Sequence, residues 1–157
     1  MTTLEKVSSY VNRLVEYVLF GMGFIMAVVV AVQVFSRYAL NHSIFWSEEL
    51  ARFLLVWLTF LGASVVYRRG GHASIEILYD LFPLSIQKIT SIIIHLVALA
   101  FFVVMIIYGW RFAYFVRLQI SPALSLPKWI PHGIIPLSGA ILALHALNFF
   151  FNALRKS

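Results

Sequence analysis

The chain contains no cysteine, which removes disulfides, thiolate metal centres and cysteine nucleophiles together. It is almost as poor in charge. Only 11% of its residues are Asp, Glu, Lys or Arg, where a soluble domain carries about 25%. With six acidic residues in all, carboxylates for paired acid–base work are scarce. No Gly-rich phosphate loop, no G-x-S-x-G turn and no Ser-His-Asp set in a credible context occurs, so nothing in the sequence points to an enzyme. Internal repeats are also lacking.

What fills the chain is apolar, 62% of 157 residues. A helix rising ~1.5 Å per residue needs ~20 residues to cross a ~30 Å hydrocarbon core, so this length holds at most four or five spans. A sizeable water-soluble domain does not fit beside them. The formal charge of +6 comes from twelve Lys and Arg residues scattered in ones and twos between apolar runs. Flanking positive charge of that kind anchors and orients helices at a bilayer, and it argues against a nucleic-acid partner.

The fold class expected is all-α: an integral membrane protein with four transmembrane helices, at about residues 17–36, 49–68, 89–111 and 132–153, in a single membrane domain over 1–157. Residues 3–16 alternate polar and apolar and are expected to lie as a surface helix leading into the first span. Glu5, Lys6, Arg13 and Glu16 precede that apolar run and no small-residue cleavage site follows it, so the segment is expected to stay as the first span. A second interfacial helix is expected over 72–82, ended by Pro83. Gly23, Ala27 and Ala31 recur at four-residue spacing in span one, as do Gly139 and Ala143 in span four; small residues at that spacing let lipid-buried helices approach closely. The stretch SPALSLPKWIP carries three prolines between spans three and four and forbids a continuous helix there.

The most informative stretch is Trp46 to His72, an apolar run with its charges gathered at the two ends. Ser47 reads as a helix N-cap, with Glu48 and Glu49 in the first turn, where the helix dipole favours anions. Glu48 and Arg52 stand four residues apart with the acid first, the favoured order for a helical ion pair. Glu49 points about 100° away, where it could pair with Arg37 at the end of span one or reach a partner protein. Trp46 sits where an interfacial indole belongs. Gly62, Ala63 and Ser64 supply a close-packing patch. The termini and the loop between spans two and three hold Lys6, Arg13, Arg68, Arg69, Lys88, Arg155 and Lys156, seven cations, against five on the other side, Arg37, Arg52, Arg111, Arg117 and Lys128. Both termini are therefore expected on the cytoplasmic side.

Three other constellations bear on function. His95 and His145 fall at similar depth on antiparallel spans, as a bis-histidine haem of an electron-transfer subunit would require; a lone intramembrane histidine also hydrogen-bonds to a neighbouring helix. His72, Glu76 and Asp80 form one stripe, but the first and last stand ~12 Å apart along a helix, too far to share one ion, and no metal site is assigned. The acid pair Glu48 and Glu49 fits a cation site or proton relay, but its interfacial position with an arginine within reach favours a structural brace. A small self-sufficient transporter or channel is a further alternative.

The run VFSRYALNHSIFWSEELARFLLVWLTFLGASVVYRRGGHASIEILYDLFP resembles the small membrane subunit of the tripartite ATP-independent periplasmic (TRAP) transporters. The likeness is carried by Arg37, by Trp46-x-Glu48-Glu49 with Arg52, by Leu61-Gly62-Ala63, and by His72 with the helix to Pro83. Downstream, Ser121-Pro122-Ala123-Leu124, Leu126-Pro127, Trp129 and Pro136-Leu137 resemble that family's entry to its last span. It covers the chain from about residue 30. The resemblance implies a bacterial inner-membrane subunit without a cofactor, paired with a large multi-span subunit that carries substrate and sodium in symport. A periplasmic substrate-binding protein would deliver an organic anion of the C4-dicarboxylate or sialic acid type.

Overall fold

The computed structural model describes residues 3–69 and 84–155. Helix α1 spans Thr3–Ala39 and α2 spans Phe45–Arg68. Helix α3 spans Leu84–Phe115, a four-residue helix α4 covers Trp129–His132, and α5 spans Ile134–Arg155. Four of these helical stretches are long and apolar enough to cross a membrane, α4 and α5 together making the fourth. Among the described residues the only β pairing is an isolated antiparallel bridge between Ile120 and Pro127. The expected interfacial helix over 72–82, with His72, Glu76 and Asp80, lies outside the described residues.

The surface helix expected over 3–16 is not a separate element. It is the first part of α1, whose 37 residues reach about 55 Å at the usual helical rise, well beyond a ~30 Å hydrocarbon core. The reason is packing: Ser8 and Val15 are buried against the rest of the bundle, so this segment is held by neighbouring helices as well as by the membrane surface. No proline or glycine interrupts residues 3–20, and the backbone ladder continues through them.

Two apolar clusters hold the bundle together, and α5 takes part in both. Val15, Leu61, Val65 and Ile134 join α1, α2 and α5. Tyr67, Phe102, Leu142 and Ala146 join α2, α3 and α5. Helix α5 with α2 therefore forms the middle of the bundle, with α1 and α3 to the sides. The apolar window of α5 is 39% buried against 6% for that of α1; the outer helices turn most of their Val, Ile and Phe side chains outward, as a lipid-facing surface requires.

Small residues set the α3–α5 distance. A Cβ on Gly139 would lie 3.1 Å from Ile106 Cγ1 and 3.3 Å from Met105 Cβ, and one on Gly109 would lie 2.8 Å from Ile135 Cγ2. Ala143 packs against the second cluster. The α1 stripe behaves differently. Ala27 and Ala31 are exposed, and a Cβ on Gly23 or on Gly62 would meet nothing within 4 Å. Among the described residues, those small residues bring no helix close.

Candidate functional site: the two polar ends of the bundle

Because the spans alternate in direction, the start of α1 meets the ends of α2 and α5; this is the terminal end. The end of α1, the start of α2 and the 116–128 loop make the other, the loop end.

At the loop end, α1 passes into α2 through a tight turn. Asn41 takes a left-handed conformation (φ 50°), which asparagine tolerates better than most residues. Ser36, buried near the end of α1, fastens this turn twice: its carbonyl accepts the Leu40 and His42 amides at 3.2 and 3.1 Å, and its hydroxyl donates to the His42 carbonyl at 2.7 Å. Gln33 then accepts the Ile44 amide at 3.2 Å and donates to Ser43 Oγ at 3.3 Å. These bonds displace the expected N-cap. Helix α2 begins at Phe45 with Ile44 at the cap position, and Ser47, already inside the first turn, donates its hydroxyl back to the Ile44 carbonyl at 2.7 Å. Gln33 takes the amide of the cap residue itself, and the Ser47 amide inside the first turn goes to the Ile44 carbonyl at 3.3 Å.

The acid pair is partnered in a different way from the spacing argument. Glu48, not Glu49, faces Arg37, at 3.9 Å with side chains 56% and 60% exposed. No ion pair within that range joins Glu48 to Arg52 among the described residues; Arg52 is exposed. Glu49 instead reaches the 116–128 loop, where one carboxylate oxygen accepts the Ala123 and Leu124 amides at 2.8 and 3.0 Å. The cause is the loop's own fold. Ser121 and Leu126 close it backbone to backbone at 2.9 Å, Lys128 donates to the Gln119 carbonyl at 2.8 Å, and Ser125 adopts φ 52°. That turn leaves two successive amides pointing at Glu49, and a carboxylate is the strongest acceptor within reach. Trp46 stands beside this region, 46% exposed. Trp57, deeper in α2, donates its indole N–H to the Pro131 carbonyl at 3.1 Å, which ties α2 to α4.

The terminal end is built from buried polar groups. Arg68 donates through one guanidinium nitrogen to Ser8 Oγ at 2.7 Å and through the other to Ser9 Oγ. Ser8 Oγ lies 2.8 Å from His145 Nδ1, and both Ser8 and His145 have no exposed surface. Ser8 Oγ thus accepts from the guanidinium and shares a hydrogen bond with His145 Nδ1, so that one hydroxyl on α1 links α2 to α5. Arg69 pairs with Glu16 at 2.8 Å, and Asn12 donates to the same Glu16 oxygen at 2.8 Å. Arg68 and Arg69 thus stitch the end of α2 to the start of α1.

His95 and His145 each face a neighbouring helix. The Tyr67 hydroxyl lies 3.2 Å from His95 Nδ1, and Phe149 stacks on the His95 ring at 5.5 Å with planes 14° apart. Tyr67 packs edge-on against both Phe102 and Phe149. His145 is enclosed among α1, α2 and α5, with Nδ1 on Ser8. Each histidine is a helix-to-helix hydrogen-bonding residue, the alternative that intramembrane histidines commonly satisfy.

Of the residues singled out by sequence, the structure brings together Arg37 with Glu48, and Glu49 with the proline-rich loop. It leaves Arg52 exposed and Gly62 and Gly23 without close neighbours, and His72 lies outside the described residues. Spacing along one helix missed Gln33, Ser36, Ser8, Tyr67 and Gly109, because their roles depend on which helix lies opposite. An uncharged glutamine or serine inside an apolar run was the available signal.

The architecture is that of a multi-pass helical membrane subunit fastened by polar contacts at its ends. A family model described as "Tripartite ATP-independent periplasmic transporters, DctQ component" matches residues 26–156, and the chain belongs to that family of small TRAP permease subunits. It is a multi-pass protein of the bacterial inner membrane. Among its relatives is the ectoine TRAP transporter small permease protein TeaB of Halomonas elongata, 26% identical over 98% of this chain and 79% of the relative. The sialic acid TRAP transporter permease protein SiaT of Haemophilus influenzae is 35% identical over 65% of this chain, a match spanning only 17% of that protein. The isethionate TRAP transporter permease protein DctMQ of Oleidesulfovibrio alaskensis is 29% identical over 66% of this chain and 16% of its own length. The chain thus corresponds to a small part of those two long permeases.

Proposed function

We propose that this chain is the small, non-catalytic membrane subunit of a TRAP secondary transporter, scaffolding a large transport subunit and helping a periplasmic substrate-binding protein to dock. The observation that carries the reading is the family match over 26–156, joined to a bundle held by two apolar clusters and braced by polar groups at its ends. The two long relatives support the pairing, since a segment like this chain is joined there to a much longer permease. In this reading both termini are cytoplasmic and the loop end is periplasmic. There Arg37, Arg52 and Arg111 are exposed and present positive charge to a docking protein. Uptake is sodium-driven symport of an organic anion of the C4-dicarboxylate or sialic acid type, with substrate and sodium held by the large subunit.

The test is co-expression with a large TRAP subunit followed by transport in vesicles with a binding protein and a sodium gradient. The expected result is co-purification of the two membrane subunits and uptake that needs both. Glu49→Ala or Arg37→Ala is expected to weaken assembly or rate without altering substrate preference. Uptake by this chain alone, or a changed preference in either variant, would overturn the proposal.

A further inference from the structure

Between α2, α3 and the α4–α5 corner lies a cavity of about 670 Å³ whose lining includes Trp57, Ile106, Trp110, Tyr114, Arg117 and Trp129. It runs beside the last three turns of α3, since Ile106, Trp110, Tyr114 and Arg117 recur at helical spacing. From Ile106 to Arg117 the rise is about 16 Å, close to the depth of one leaflet of a ~30 Å hydrocarbon core. Its walls are apolar side chains except at one end. There the Arg117 guanidinium lies 3.6 Å from the centre of the Tyr114 ring and donates to the Tyr114 carbonyl at 3.2 Å. No acidic residue lines the cavity, and no ion pair to Arg117 occurs among the described residues. Trp110, Tyr114 and Trp129 are each at least half exposed around it, at the level where amphipathic rings meet headgroups.

We infer that this groove holds one acyl chain of an anionic phospholipid, with Arg117 receiving the phosphate. An apolar slot in a membrane protein is filled by hydrocarbon at little cost, and its length suits a chain running from the interface to the bilayer centre. The lone cation at its outer end supplies the charge complement: one N–H of the five-donor fork is engaged by Tyr114, leaving others to turn toward a phosphate oxygen. A protein side chain from a partner would more often meet a polar or acidic group there, and the groove has none.

The experiment uses the full chain, in mild detergent with phosphatidylglycerol or phosphatidylcholine added, and reads retained lipid by native mass spectrometry. Phosphatidylglycerol is expected to be retained preferentially. Arg117→Gln should lower its retention about fivefold, the effect of one cation near an anionic headgroup. Ala113→Phe, which fills the groove, should abolish retention of either lipid, while Ala27→Phe on the exposed side of α1 leaves it unchanged. Should Ala113→Phe fail to fold, wild-type chain in phosphatidylcholine nanodiscs with a low fraction of brominated-acyl phosphatidylglycerol gives a second reading: tryptophan quenching above the random level, returning to that level in Arg117→Gln. Equal retention in all variants, or quenching no greater than random, would overturn the inference. Displacement of the lipid by glycerol phosphate would show an anion site without a chain. Crosslinking of position 113 to a co-purified large subunit, with lipid lost, would assign the groove to protein.

Discussion

At the terminal end of the bundle Arg68 lies partly buried against Ser8 and Ser9, and through Ser8 reaches a fully buried His145. At the loop end Arg37 faces Glu48 across 3.9 Å with both side chains more than half exposed. Both are arginines closing helices, yet their contacts differ in kind. Where water is excluded, a guanidinium must spend its donors on protein groups and becomes a tie between helices. Where water is present, an ion pair contributes little, and the charge stays free to meet something else. The loop end also has a charged tie, Glu49 on the Ala123 and Leu124 amides, and that contact holds a loop where Arg68 holds a helix.

The contrast is open to attack at several points. Arg68→Ala should have the largest effect, a loss of about 3 kcal/mol, because it removes charge-assisted bonds to two serines. Reversible unfolding in mixed detergent micelles measures it, and a change below about 0.5 kcal/mol would show that the terminal network is not a tie. Next comes Gly109→Val, expected to cost about 2 kcal/mol by overpacking against Ile135 and Pro136. Gly62→Ala is its control and should stay within about 0.5 kcal/mol, since a Cβ there meets nothing within 4 Å. Glu49→Gln should act locally: hydrogen exchange at Ala123 and Leu124 accelerates severalfold while α3 and α5 keep their protection. Global loosening would mean the loop is part of the core. The smallest effect belongs to the Arg37 and Glu48 pair, where a double-mutant cycle should return about 0.5 kcal/mol or less, vanishing in high salt.

Much of this molecule was legible in its residues, and the gaps have a common cause. Four apolar runs, the proline break after α3 and the Gly139 and Ala143 contact follow from properties that act along one helix. The partners of Glu48 and Glu49 did not, because helical spacing ranks only neighbours on the same helix, and the winning partners came from the end of α1 and from a loop. Ser47 looked like a cap for the same reason: nothing local announces that Gln33, eleven residues earlier, accepts the Ile44 amide. The N-terminal segment read as a surface helix because its polar residues were assigned to water. Several of them, Ser8 and Glu16 among them, face the arginines that end α2.

The central place of α5 has a consequence for biosynthesis. The chain is made from its N-terminus, and helices placed in a bilayer associate after each has formed. Helices α1 and α2, joined by the short Asn41 turn, can pair as soon as both have left the ribosome. Helix α3 makes its main contacts with α5, including those at Gly109 and Gly139, and meets α2 through Tyr67, so its packing is completed only when the last span arrives. A ribosome-bound chain stopped before Ile134 should therefore hold a paired α1–α2 hairpin with α3 attached to it only through Tyr67, and insertion of α5 is the step that locks the spans into one subunit.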